Sequence, residues 1–281
     1  MKIAIVTDSV ADLPSALCAE LGIAVVPLSV IFGDEVLKDG VDITSSQFFA
    51  RLKSSSVMPS TSQPSPADFM EVYKGLELTH DHVFSIHVSS HLSGTYQSAC
   101  IARDTMQATS IEVIDTGQAT MCEGLIVLAA ARAAARGAGV EEIRQRIKAV
   151  AGSVRMLFGV STLEFLARNG RIGRAASLVG ALLSVKPILH VEDGIVAPYD
   201  KVLGERKILG RTIQIMHREV GQEPITAAIV HADSEDKAQE WKREITSNFN
   251  CSELTLCEVG PVVGTHAGPG AVGVTWHPTF E

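Results

Sequence analysis

The chain has 281 residues, 46% of them hydrophobic, enough for one large core or two ordinary ones, and the length favours two domains. A formal net charge of -8 opposes binding to a phosphate backbone, which requires Lys and Arg massed on one face, so nucleic acid is excluded as an expected partner. The five cysteines (Cys18, Cys100, Cys122, Cys251, Cys257) are odd in number, scattered and without CxxC spacing, which predicts reduced, mostly buried thiols.

The start, MKIAIVTDSV, runs from one lysine directly into a strand and lacks the apolar stretch and cleavage site of a signal peptide. KIAIVTD reads as a strand, and Asp12 to Glu20 as a helix closed by Gly22. IAVVPLSVIF, HVFSIHVSS and IEVID are further strands, with helices after Thr44, Ser65, Ser93 and Thr120. Alternation of this kind predicts an N-terminal, mainly parallel sheet with helices on both faces, over residues 1–153. The stretch Leu125 to Ala135 is interrupted by Arg132 and falls short of the ~20 residues that cross a bilayer. The expectation is therefore a cytoplasmic protein without stable membrane insertion. Beyond ARGAG and the helix VEEIRQRIKAV, the runs MLFGV, KPILHV, GIVAPY, ITAAIVHA, SELTLCEV and AVGVTW alternate with helices near Ser161, Ala175, Gly204 and Ser234. They predict a C-terminal α/β domain with a mixed sheet, residues 154–281.

Ligands of such sheets collect beyond the carboxyl ends of the strands, where loops meet helix N-termini. Here those loops are TDS, TSQPS, SSHLSGT and DTGQAT. In PSTSQPSPADF, Ser65 suits a helix N-cap, Pro66 the first helical position and Asp68 the first turn, leaving Thr61, Ser62 and Gln63 unexplained unless they are turn residues bonding their own backbone. In SSHLSGTYQSA, Ser93 is a candidate cap and Gly94 permits close backbone approach. One cap accounts for one hydroxyl, whereas two strand ends each supply several. Neutral hydroxyls and a helix N-terminus together hold a carboxylate or phosphate without a formal positive charge. GPVVGTHAGPGAVGV places His266 among glycines, either as a donor to an anion or as a turn histidine facing solvent.

Catalytic and cofactor signatures are missing. HLSGT does not fit GxSxG, no HExxH or Cys/His pairing suggests a metal, and no GxxxxGK[ST] or GxGxxG follows a strand, so neither a metal nor a cofactor is expected. A triad of Ser93, His266 and Asp8 stays open, because triads are defined by geometry rather than by order along the chain.

Taken in order, TDS (7–9), TSQPS (61–65), SSHLSGTYQSA (89–99), NGRIG (169–173), KPIL (186–189) and THAGPGA (265–271) resemble the DegV family along the whole chain. The resemblance implies a bacterial, non-catalytic fatty-acid-binding protein, the acyl-carrying subunit of fatty acid kinase, with its ligand site between or near the domain interface. Such a subunit presents a long-chain fatty acid to a separate ATP-binding kinase subunit, which phosphorylates the carboxylate to an acyl phosphate. Thr61, Ser62, Ser93 and His266 would then hold the carboxylate, with Arg171, Asp39 and Gly94 as candidates for an outer network. A surface or interdomain ion pair is the competing reading for Arg171 and Asp39. His91 stands where SSxLSGT often has Gly, and Asn169 where a second Gly is common. About 15 methylenes at ~0.8 kcal/mol each supply roughly 12 kcal/mol gross, against ~1.5 to 3 for a charge-assisted hydrogen bond, so the acyl chain would bind and the hydroxyls orient. The runs LVGALLSV (178–185), LIVLAAA (125–131) and MLFGV (156–160) are candidate linings, with ordinary core as the alternative for each residue. The competing functions are a stand-alone serine hydrolase or acyltransferase using Ser93 and His266, and a binding protein for another small anion.

Overall fold

The structure, a computed structural model, describes residues 1–179 and 185–280. By its internal contacts the chain forms two compact units, the first comprising 1–152 with 260–262 and the second 153–259 with 263–281.

In the first unit, β1 (Ile3–Asp8), β2 (Ile23–Val26), β6 (His82–His87) and β7 (Ile111–Asp115) form a wholly parallel sheet in the order β2-β1-β6-β7. Side chains alternate across a strand, so Ala4 and Val6 face one way with Val83 and meet Phe69 and Tyr73 of α3 (Pro66–Glu77) and Ala99 and Ala102 of α4 (Thr95–Met106). Thr7 faces the other way, towards α5 (Met121–Ala135). That helix is mostly apolar because most of it is buried: Leu125, Ile126, Val127, Leu128, Ala130 and Ala131 are core residues, so LIVLAAA is a packing element of the first unit.

IAVVPLSVIF is not one strand. Pro27 lacks the N–H that a ladder requires, and the run divides into β2 and β3 (Ser29–Phe32) in different sheets. With β4 (Glu35–Lys38) and β5 (Ser60–Ser62), β3 makes a small antiparallel sheet in the order β4-β3-β5, which the strand–helix alternation does not anticipate. The helix read from Asp12 is also shorter. Asp12 adopts a left-handed φ of 50° and ends a 3-10 turn over Ser9–Ala11, and α1 runs over Ser15–Leu21 before Gly22 closes it at φ 63°. Helix α2 (Ser45–Ser54) starts from a Thr44–Gln47 capping box, and α6 (Val140–Ser153) leads into the next unit.

The second unit has a six-stranded mixed sheet. Its strands β8 (Arg155–Gly159), β9 (Val185–Glu192), β10 (Ile195–Leu203), β11 (Ile225–His231), β12 (Cys251–Glu258) and β13 (Val272–Pro278) lie in the order β10-β9-β8-β13-β11-β12. Among the described residues only the β11–β12 pair is parallel. One face is packed by Ile208, Ile215 and Met216 of α8 (Lys207–Val220) and by Ala238, Trp241 and Ile245 of α9 (Glu235–Asn248). The five-residue α7 (Glu164–Arg168) follows β8, a 3-10 stretch covers Gly173–Leu178, and α10 (Pro261–Ala267) precedes β13.

Gly173, in the NGRIG segment, has φ +52°, and a Cβ there would lie 2.3 Å from the Val196 carbonyl oxygen. Because the obstacle is backbone, it cannot swing aside. Gly173→Ala is expected to cost about 2 to 4 kcal/mol and to lower the calorimetric melting temperature by several degrees, while Gly170→Ala, where nothing lies within 4 Å, costs only the left-handed strain.

Candidate functional site

The two hydroxyl loops meet within the first unit. Ser65 caps α3 and forms a reciprocal box with Asp68, with Pro66 at the helix start. Thr61 and Ser62 are not turn residues but belong to β5, paired with Val30 and Ser29 of β3. Adjacent strand positions send their side chains to opposite faces, and accordingly Thr61 is half-buried and Ser62 exposed. The Ser62 hydroxyl donates to the Gln63 carbonyl (3.3 Å). Gln63 then reaches the second loop: a Cβ on Gly94 would stand 2.9 Å from Gln63 Nε2. The glycine of LSGT is thus a seat for the Gln63 side chain, and this contact brings the TSQPS and SSHLSGT segments side by side.

Ser93 is not the N-cap of α4. Gly94 holds that position without any side-chain cap, and Ser93 lies one residue earlier, its Oγ 2.8 Å from Thr95 Oγ1 and 3.4 Å from Thr95 N. Its hydroxyl is half-buried at the carboxyl end of the parallel sheet. His91 is exposed, with its N–H on Ser89 Oγ (3.2 Å).

A Ser–His–Asp constellation does exist, but not the one the sequence leaves open. Asp8 Oδ2 lies 2.9 Å from His87 Nδ1, and His87 Nε2 lies 2.6 Å from Ser85 Oγ, which is also 2.7 Å from Tyr73 Oη. All four side chains have no exposed surface, so Ser85 has no access to a substrate and the arrangement is a sealed hydrogen-bonded chain.

Around it lie further buried carboxyl groups that no motif announces. Asp12 accepts the Gly260 N–H (2.8 Å), and burial pushes its pKa up to about 8, the Thr120 hydroxyl and that N–H offsetting part of the rise. Asp39 accepts the Val262 N–H (3.4 Å), and burial raises it to about 7 against the Ser9 hydroxyl and that bond. Glu123, bonded by Thr7 (3.1 Å), is held well above the usual carboxylate range by burial first and by Asp8 second. Asp39 is thus a buried acceptor for the start of α10 rather than a surface residue. The apolar periodicity of α5 hides Glu123, and only its position opposite Thr7 distinguishes it.

In the second unit, His266 is the sixth residue of α10 rather than part of an open turn. The glycines after it answer to packing. A Cβ on Gly268 would fall 2.2 Å from the Phe165 ring, and one on Gly270 would fall 2.3 Å from Ser161 Oγ. Burial, reinforced by the Arg171 charge, lowers the His266 pKa to about 4, so at neutral pH it is an uncharged imidazole with a single N–H to donate. Arg171 Nη1 donates to the Asn169 carbonyl (2.8 Å), and Asn169 Nδ2 donates to the carbonyls of Thr265 (3.1 Å) and Phe165 (3.3 Å). Asn169 thereby ties the NGRIG segment to α10, which a glycine there does not do. Of the candidate linings, residues 180–184 of LVGALLSV lie outside the described residues, while Gly159 and Val160 of MLFGV reach a cleft of about 820 Å³ with Ile208 and Trp241 among its walls and Glu205 and Lys237 among its polar groups. All five cysteines are free thiols, four of them buried, and no helix among the described residues is long and apolar enough to cross a membrane.

The sequence profile of the DegV family, described as an uncharacterised protein family, matches residues 2–279. The chain belongs to the DegV family. A DegV domain-containing protein of Caldanaerobacter subterraneus subsp. tengcongensis is 40% identical over 281 residues, covering 97% of this chain and 98% of that one. A DegV family protein of Thermus thermophilus, whose structure is described as showing fatty acid binding, superposes with a TM-score of 0.94 at 34% identity, covering 99% of this chain and all of the other. A protein of Eubacterium ventriosum described as binding stearic acid superposes with a TM-score of 0.90 at 25% identity, covering 98% of each chain.

Proposed function

We propose that this protein binds a long-chain fatty acid and presents its carboxylate to a separate ATP-dependent kinase subunit, which converts it to an acyl phosphate. The observation that carries this reading is the meeting of two hydroxyl-bearing loops through Gln63 and Gly94, at the carboxyl end of a parallel sheet. Thr61 and Ser93 offer neutral hydroxyls there, with Ser62 on the opposite face of β5, and relatives of the same fold are described as fatty-acid-binding. Neutral donors suit a carboxylate that must later attack phosphorus. A bidentate Arg clamp would hold it more tightly and shield the attacking oxygen. His266 is an uncharged donor with Arg171 beside it in the second unit; the family resemblance alone implies a carboxylate contact for it, and His266→Ala tests that contact by stearic acid titration.

The reaction itself belongs to the partner. Ser93 has Thr95 as its hydroxyl neighbour, while His87 is committed to Asp8 and Ser85, so the hydrolase reading gains no general base from the buried His87–Asp8 pair. We place the protein in the cytoplasm, where the kinase subunit and ATP are available. Native mass spectrometry of protein purified from a bacterial host tests the reading. A co-purified long-chain fatty acid is expected, because the gross apolar transfer term of a long acyl chain outweighs several hydrogen bonds. An acyl-serine adduct, or a preparation that neither carries nor takes up stearic acid, overturns it.

A further inference from the structure

The sealed chain of Tyr73, Ser85, His87 and Asp8 has a geometric consequence for the Ser93 loop. Asp8 uses both carboxylate oxygens: Oδ1 accepts the Val10 N–H (3.0 Å), and Oδ2 accepts the Val88 N–H (3.1 Å) beside its contact with His87 Nδ1 (2.9 Å). His87 is in turn fixed by Ser85 through Nε2 and by the Phe69 ring edge-on at 5.0 Å. The backbone leaving β6 is therefore gripped at two successive residues. The next residue, Ser89, donates its N–H to the Gln118 carbonyl (2.8 Å), and its carbonyl accepts both the Leu92 N–H (2.9 Å) and the Ser93 N–H (3.0 Å). Ser93 hangs from the Ser89 carbonyl, and that carbonyl is one peptide away from the bond to Asp8. None of the four side chains is exposed, so their hydrogen bonds do not compete with bulk solvent and hold a narrow geometry.

We propose that Asp8 is a positioning residue for the carboxylate-binding loop 89–95: through His87 and the Val88 N–H it fixes the Ser89 carbonyl and so sets where the Ser93 hydroxyl points. The inference rests on the reading that Ser93 holds a fatty-acid carboxylate. It gives the Ser–His–Asp geometry a use that needs no substrate access, since the acid orients a histidine and a backbone N–H rather than a nucleophile.

A double-mutant cycle on stearic acid binding by the delipidated full chain tests it. Ser93→Ala is expected to weaken binding ~10-fold in the wild-type background and less than ~2-fold once Asp8→Asn is present, because a misplaced hydroxyl has little left to lose. Val83→Ala, a core truncation in the same strand that touches none of these bonds, should lower the melting temperature yet leave the ~10-fold Ser93 effect in place. If the Ser93 effect persists in full with Asp8→Asn, or if Val83→Ala erases it equally, the positioning role is overturned. If Ser93→Ala has no effect even in the wild type, the carboxylate reading itself fails and the role falls with it. Should Asp8→Asn not fold, amide hydrogen exchange of the wild type decides. Val88, Leu92 and Ser93 are expected to open as one unit, and exchange of Leu92 and Ser93 more than ~10-fold faster than Val88 overturns the proposal.

Discussion

Between pH 6.5 and 8, the unfolding free energy of the wild-type protein should fall, and that of Asp12→Asn should fall less, the two diverging by about 2 kcal/mol over the window. The Asp12 pKa is about 8 in the folded protein against a model value of 3.8. From about pH 4 upward the unfolded chain has released this proton while the folded chain keeps it. The folded state therefore binds more protons, and stability falls by about 1.4 kcal/mol per pH unit until the folded pKa is passed. Asp39, raised to about 7, adds to the slope in the lower half of the window, and Glu123 acts in the same direction. Below pH 6.5 the sign is contested. His266 is held neutral in the folded state down to about pH 4, while the unfolded histidine charges near 6.5, so its contribution to stability is lost as the pH drops. The window above 6.5 isolates the carboxyl groups. Asparagine suits the test because it tolerates the left-handed φ of 50° at this position and its amide oxygen still accepts the Gly260 N–H. Urea titrations at four pH values measure the slopes, and parallel lines for the two proteins would show that Asp12 is not the group responsible.

Ser93→Ala should separate binding from phosphorylation. The hydroxyl supplies one hydrogen bond to a carboxylate, so its loss should cost no more than ~1.5 to 3 kcal/mol of affinity, and the acyl chain, with roughly 12 kcal/mol gross, keeps the ligand bound. Acyl phosphate formation by the kinase subunit, assayed on the ligand-saturated variant, is expected to fall further than binding does, by ~100-fold, because a small misplacement of the attacking oxygen is costly in rate. Because Thr61 and Ser62 leave β5 on opposite faces, their alanine variants should not behave alike in this assay. A Ser93→Ala protein that loses stearic acid altogether, or that reacts at the wild-type rate once saturated, refutes this division of labour.

By itself, the sequence determined the parallel α/β character of the first unit, the mixed sheet of the second, the helix N-cap at Ser65 and the two hydroxyl loops. Each is a local signal: short β-branched apolar runs alternating with helical stretches, a Ser-Pro-x-Asp start, and hydroxyls clustered at strand ends, all readable within a few tens of residues. The break at Pro27 was equally local, yet the apolar run on both sides concealed it until the two halves proved to pair in different sheets. Only the tertiary structure decided the rest. Gly94 reads as freedom for a ligand and turns out to seat Gln63, and Gly268 accommodates the Phe165 ring across about 100 residues of sequence. Asp8 and Asp12 flank one 3-10 turn while Asp39 and Glu123 come from two other segments, and the composition around them does not mark them as buried. The ionisation of a carboxyl group is set by what surrounds it in three dimensions, by the water removed and the N–H groups supplied, and those partners lie up to 248 residues away along the chain.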